Sequence, residues 1–262
     1  MRHHFKAPPV NEVVIGEAFV PRADLLIPLI GAFWDRHLRA DFPRVEHGVP
    51  IGSVDGSVYT DPTTGLVLPR VLMSSADGAS LVQLQPDRLY VNWRKMEDSQ
   101  EYPRFEAVRD RYLRIREQFN LFLKELSGDE LSPAGYELTY TNPFLSANGW
   151  RSFADLPNFF KPWAWDKADF GSAPKSLRLN VEMELPGDCG KLVLNISPAI
   201  RKVTNEPAMR VDLTAQAEAT VAARTSLAEW AETAHVAIVE TFVKISTAEK
   251  LAEWGHWEEH GK

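Results

Sequence analysis

Residues 81–105 read LVQLQPDRLYVNWRKMEDSQEYPRF. Two short runs alternate around Pro86-Asp87, and a third opens a helix. Val82, Leu84, Leu89, Val91 and Trp93 fall on one side of the alternation. Gln83, Gln85, Arg88, Tyr90, Asn92 and Arg94 fall on the other. Period-two patterning of this kind predicts an antiparallel strand pair with one face packed on a core. Solvated faces usually carry Lys, Glu and Thr, whereas this one carries Gln, Asn, Arg and Tyr. It is therefore either an ordinary solvated sheet face or the candidate surface for contact with a partner, a ligand or another part of the chain.

Outward from this hairpin, Phe105, Val108, Tyr112, Ile115, Phe119, Phe122 and Leu126 recur at alternating steps of three and four. That seam predicts a long helix lying across the sheet, stopped at Gly128. Arg104, Arg109, Arg111, Arg114 and Arg116 line the same segment, and Arg grips carboxylate or phosphate by a bidentate fork. Upstream, residues 11–20 read as a strand. A helix follows over about 24–41, capped by Asp24, with Leu26, Ile30, Phe33, His37 and Ala40 as its apolar stripe. Residues 44–66 read as a loop and 65–74 as a strand. Downstream, strands are predicted at 134–144, 177–185, 191–198 and 209–217. Ser226 and Glu229 form a capping box for a long helix ending at Ile245, and Ser246 and Glu249 repeat it for a short last helix to Trp254. The order β-α-β-β-β-α-β, then β-β-β-α-α, predicts an α+β fold of mainly antiparallel sheet with long helices packed on one face. One integrated unit over 1–262 is expected, with halves 1–145 and 176–262 joined by an aromatic-rich connector, 146–175.

With 262 residues, 44% hydrophobic and 25% charged, the chain has enough apolar content to build a core. The net charge of −7 argues against a nucleic-acid partner, which needs a basic face. Cys189 is the only cysteine, so neither an intrachain disulfide nor a cysteine zinc site is expected, which suits a cytoplasmic protein. The first residues lack the apolar run of a secretory signal, and no membrane association is expected.

No G-x-S-x-G, Gly-rich phosphate loop or G-x-G-x-x-G occurs. HWEEH, residues 256–260, fits H-x-x-E-H, a zinc-protease pattern when helical. So near the end it reads as a frayed tail, with no downstream carboxylate to complete a site, and His3-His4 reads the same way. No metal and no cofactor are expected. Cys189, in a turn, lacks an activating neighbour; His235 and His37 read as boundary histidines on helices. Phe159, Phe160, Trp163 and Trp165 crowd the connector, either clipping it to the core or anchoring a partner.

Taken together, PPVNEVVIGEAF (8–19), the stretch from Leu81 to Lys95, YPRFEAVRDRYLRIREQFNLFL (102–123), YELTYTNPF (136–144) and Trp254-Gly255 resemble a sporadically distributed, uncharacterised prokaryotic family of about this length. The resemblance implies an accessory role in a mobile-element, phage-defence or toxin–antitoxin-like locus and supplies no catalytic residues. The expected function is a non-enzymatic binding or regulatory protein with a protein partner; a homodimer stays open. The alternatives are a small-molecule binder, with a pocket between the last long helix and strands 177–217, and an enzyme of unrecognised type.

Overall fold

The computed structural model describes residues 2–52, 58–161, 175–201 and 204–259. In chain order the strands and first helices are β1 (Arg2–Phe5), β2 (Glu12–Phe19), α1 (Ile27–Phe33), β3 (Arg44–Gly48), β4 (Arg70–Ser74), β5 (Ser80–Gln85), β6 (Arg88–Arg94) and α2 (Phe105–Ser127). There follow β7 (Pro133–Phe144), α3 (Leu156–Phe159), β8 (Leu179–Glu184), β9 (Lys191–Arg201), β10 (Glu206–Glu218), α4 (Ala219–Ala222), α5 (Leu227–Ile245), α6 (Ala248–Glu253) and β11 (His256–Glu259). The fold is α+β with mainly antiparallel sheet. Among the described residues no helix is long and apolar enough to cross a membrane.

The chain forms two compact units. One holds residues 13–138 and 217–229; the other holds 1–12, 139–216 and 230–262. In the first, the strand order is β3-β4-β5-β6-β2-β7. Val13, Ile15, Glu17 and Phe19, alternate residues of β2, are buried. α2 packs over them: the Phe19 and Phe119 rings lie 6.3 Å apart, and Phe33 of α1 sits 4.9 Å from Phe119. The seam is buried from Phe105 to Phe122, but Leu123 then takes the place expected for Leu126, which is exposed. A 3.6-residue helix drifts from a 3.5-residue repeat, so the stripe rotates away by its last turn. Gly128 ends the helix in a left-handed conformation, its N–H donating to the Lys124 carbonyl.

α1 departs from the expected stripe. After Phe33 it passes into a π-helical turn, Trp34–Leu38, in which Arg39 N–H donates to the Trp34 carbonyl at 2.8 Å. This longer step carries Leu38 into the core and leaves His37 and Ala40 exposed. Residues 44–48, expected to be loop, form β3 on β4; nearly every residue of this edge strand is exposed, so it has no apolar alternation to reveal it.

In the second unit the order is β7-β10-β9-β8, with α5 against one face of this sheet. Tyr140 of β7 and His235 of α5 meet there, hydroxyl to Nδ1 at 2.9 Å. At the start of α5, in residues of the first unit, the capping box of Ser226 and Glu229 forms, Glu229 N–H donating to Ser226 Oγ. For α6 the cap is Thr247, which accepts from Lys250 N–H, while Ser246 is buried and donates to the Phe242 carbonyl. Residues 256–259, expected to fray, are strand β11, paired antiparallel with β1. His256 therefore lies on a strand and not on a metalloprotease-like helix; His260 is outside the described residues.

Both units follow one path: a strand, a helical segment, an antiparallel meander whose last strand lies beside the first, and a long helix.

Two glycines test this architecture. A Cβ on Gly16 would sit 2.3 Å from both the Leu89 carbonyl oxygen and Tyr90 Cδ1, whereas nothing lies within 4 Å of one on Gly31. Gly16→Ala is expected to cost about 1–3 kcal/mol in urea unfolding. Gly31→Ala, in exposed helix, should gain about 1 kcal/mol.

Candidate functional site

The polar side of the β5-β6 hairpin faces inward. Gln83, Gln85, Tyr90 and Asn92 are buried; Arg88 and Arg94 are half-buried. Gln83 Nε2 donates to Asn92 Oδ1 at 2.6 Å. Gln85 pairs with the backbone of Ile51 in both directions, Nε2 to its carbonyl and Oε1 from its N–H, and Nε2 also donates to Asp87. Arg88 grips both Asp87 oxygens and reaches the Gly52 carbonyl. Arg94 donates to the Gly78 carbonyl at 3.0 Å. Burial pushes the Tyr90 hydroxyl well above its ordinary pKa, and Glu137 adds to the effect. The six residues named from the sequence thus share a face, and these hydrogen bonds run among them, to Asp87 and to backbone of the same unit. A buried amide without such partners would cost about 1–3 kcal/mol, which is why long side chains able to reach backbone groups stand here.

A second polar cluster sits on the α2 side of the sheet; the sequence reading names Arg116 as a cation and Tyr112 as a seam residue, and does not single out Glu17. Glu17 has no exposed surface, and its Oε1 accepts from Arg116 Nε at 2.7 Å. Tyr112, fully buried, lies close by, yet among the described residues its hydroxyl and Glu17 Oε2 have no hydrogen-bond partner. Burial raises the Glu17 carboxyl above its ordinary value of 4.5, opposed by the Arg116 charge. Burial, then the Glu17 charge, raises Tyr112. The sequence signal was available: in VVIGEAF an acid stands in the phase of Val13, Ile15 and Phe19.

In the other unit, the connector aromatics divide. Phe159 and Phe160 are buried against Phe144, at 5.1 and 5.7 Å between ring centroids, so they clip their segment to the core and present no ring to a partner. Trp163 and Trp165 lie outside the described residues. Cys189 contacts the Gly187 carbonyl, and its own carbonyl accepts from Trp230 Nε1. At the site expected for a small-molecule pocket, Trp230, Ala231 and Ala234 of α5 and Leu213 and Ala215 of β10 have no exposed surface.

The face of β7-β10-β9-β8 away from α5 is polar and accessible. Strand register lays out two transverse rows. One runs Asn180, Asn195, Asp212, with Thr141 Oγ1 donating to Asp212 at 2.8 Å; the other runs Glu182, Val193, Thr214, with Thr139 hydrogen-bonded to Thr214 at 3.0 Å. Asn180 and Glu182 are exposed, and Val193, Asn195, Asp212 and Thr214 are half-buried.

Family models, curated proteins and solved structures return no significant match to the chain.

Arg116 and Glu17 generate a pH-dependent expectation. With the folded pKa of Glu17 raised, the folded chain holds this proton more tightly than the unfolded one. The resulting stabilisation is complete below the ordinary value of 4.5 and is lost as pH rises through the folded value. Measured against Glu17→Gln, wild-type stability should therefore decline as pH climbs above that point. Arg116→Met strands the buried carboxylate and should cost about 3–5 kcal/mol at neutral pH, less in mild acid, and most of the loss should return in the Glu17→Gln/Arg116→Met double variant.

Proposed function

We propose that the chain is a non-enzymatic binding protein that engages a protein partner through the α5-free face of β7-β10-β9-β8. The observation that carries this reading is the pair of transverse polar rows on that accessible face. Flat antiparallel faces of short Asn, Thr and Asp side chains offer donors and acceptors at regular spacing with little side-chain entropy to lose. The acidic groups of the face also decide the kind of partner. Lys191 is paired with Glu182 at 3.0 Å and Arg210 with Asp212 at 2.7 Å, so these two cations of the face are already matched. Glu184 and the chain's net charge of −7 leave an excess of acceptors. A partner rich in Lys, Arg or amide donors is the complement. The perturbed groups that would suit catalysis, Glu17 and Tyr112, are sealed from substrate, which supports a binding role over chemistry. The family resemblance supports an accessory place in a defence or mobile-element locus.

The test is affinity capture from native-host cells, followed by mass spectrometry, with the wild-type chain and an Asn195→Arg/Thr214→Arg double variant. The expected result is a protein enriched by the wild type and reduced at least tenfold by the variant, whose thermal melting is unchanged. Equal recovery by both chains, or no enriched protein with either, would overturn the assignment of this face.

A further inference from the structure

We propose that His3, His256 and Glu258 form a binding site for a divalent transition metal of the zinc class, built by the pairing of β1 with β11. The argument begins with register. His3 stands opposite Glu258 and Phe5 opposite His256. Residues two apart on a strand share a face, so His3, Phe5, His256 and Glu258 all project to one side. His4 and Trp257 project to the other, where their rings stack at 4.4 Å. Phe5 is buried, which marks the first side as the inner one.

On that side three ligand atoms converge. His3 Nδ1 lies 3.0 Å from His256 Nε2 and 3.6 Å from Glu258 Oε1, and all three atoms fall within 4.8 Å of one another. A zinc ion binds imidazole nitrogen and carboxylate oxygen at about 2.0–2.2 Å in tetrahedral geometry. Ligand atoms on such a tetrahedron stand about 3.3 Å apart, and the two closest separations here bracket that value. A neutral imidazole pair sharing one proton would account for the nitrogen contact alone. The carboxylate beside the same Nδ1, placed there by the His3–Glu258 register, supplies the third donor that a metal held by both imidazoles would take.

The donor set narrows the ion. Two imidazoles and one carboxylate suit zinc, cobalt, nickel or copper, while magnesium and calcium prefer all-oxygen shells. Three protein ligands leave a fourth position for water. The surroundings suit a half-buried site: the His3 side chain is 12% exposed and that of Glu258 36%. The Phe5 ring lies 5.1 Å from that of His256 and 6.0 Å from Phe242, walling one side. Backbone bonds from Lys6 N–H to the Gly255 carbonyl and from Ala7 N–H to the Trp254 carbonyl, both 3.1 Å, extend the β1-β11 ladder and hold the ligands in register. The shortage of ligands that spoke against HWEEH in the sequence is thus made up from the far end of the chain.

The experiment uses the full chain without an affinity tag, stripped with chelator and dialysed. Zinc chloride is titrated by calorimetry, with melting temperature as an independent readout, since a ion that binds only the folded state raises it. One zinc per chain and a raised melting temperature are expected for the wild type. His3→Ala and His256→Ala should each weaken binding at least tenfold, Glu258→Gln less, and His4→Ala, on the opposite side, not at all. His3→Gln, which keeps the side-chain size, guards against a folding defect and should lose zinc with normal circular dichroism. No saturable binding by the wild type, or the same affinity in His3→Gln and His256→Ala as in wild type, would mean an adventitious ion only and overturn the site.

Discussion

The seam of α2 against β2 is the constraint on which the first unit depends. Phe105, Val108, Tyr112, Ile115, Phe119 and Phe122 are each at most 2% exposed, and the side chains of β2 that share this core are buried with them. Once that helix covers one side of the sheet, strand alternation assigns every β5 and β6 side chain to a side. Val82, Leu84, Leu89 and Val91 go to the helix; Gln83, Gln85, Tyr90 and Asn92 go opposite. A slip of one residue in either strand would send a row of amides into the aromatic core. The cost of that error is what makes the register unique.

Glu17 is the exception inside this core. A buried carboxylate contributes little net stability even when paired, because desolvation offsets most of the Coulombic gain. It does penalise misplacement, since a shift of α2 that carries Arg116 Nε away from its 2.7 Å contact leaves the carboxylate buried and unpaired. Glu17 Oε2 and the Tyr112 hydroxyl, with no well-formed hydrogen bond among the described residues, add to that cost.

Much of this was legible in the sequence, and the rest was hidden for physical reasons. The hairpin, α2, β7 and α5 declared themselves because each has one apolar side, and local period then reports structure. The same rule missed β3, which has no buried side. It missed β1 and β11 because their pairing joins residues some 250 positions apart and leaves no local trace. For Gln83, Gln85, Arg88, Tyr90, Asn92 and Arg94, alternation told which residues stand together but not whether water or protein lies over them. That depended on Ile51 and Gly52, in a stretch without periodicity. Phe159 and Phe160 were equally compatible with a core and a partner, since burial of a ring looks the same in composition whichever chain supplies the other surface.

The π-helical turn at Trp34–Leu38 has a consequence for how this chain tolerates length change. A π turn holds one more residue than the α-helical turn it replaces, so it is the local signature of an insertion absorbed without moving the rest of the helix. Phe33 and Leu38, both buried, are spaced for that wider step. Removing one of the exposed residues between them, Asp35 or Arg36, would bring Leu38 to an ordinary four-residue spacing from Phe33 on the same stripe. Most helices respond to a deletion by turning their apolar side toward water. Here the reading frame of the helix carries a spare position, and the deletion would restore a regular α-helix.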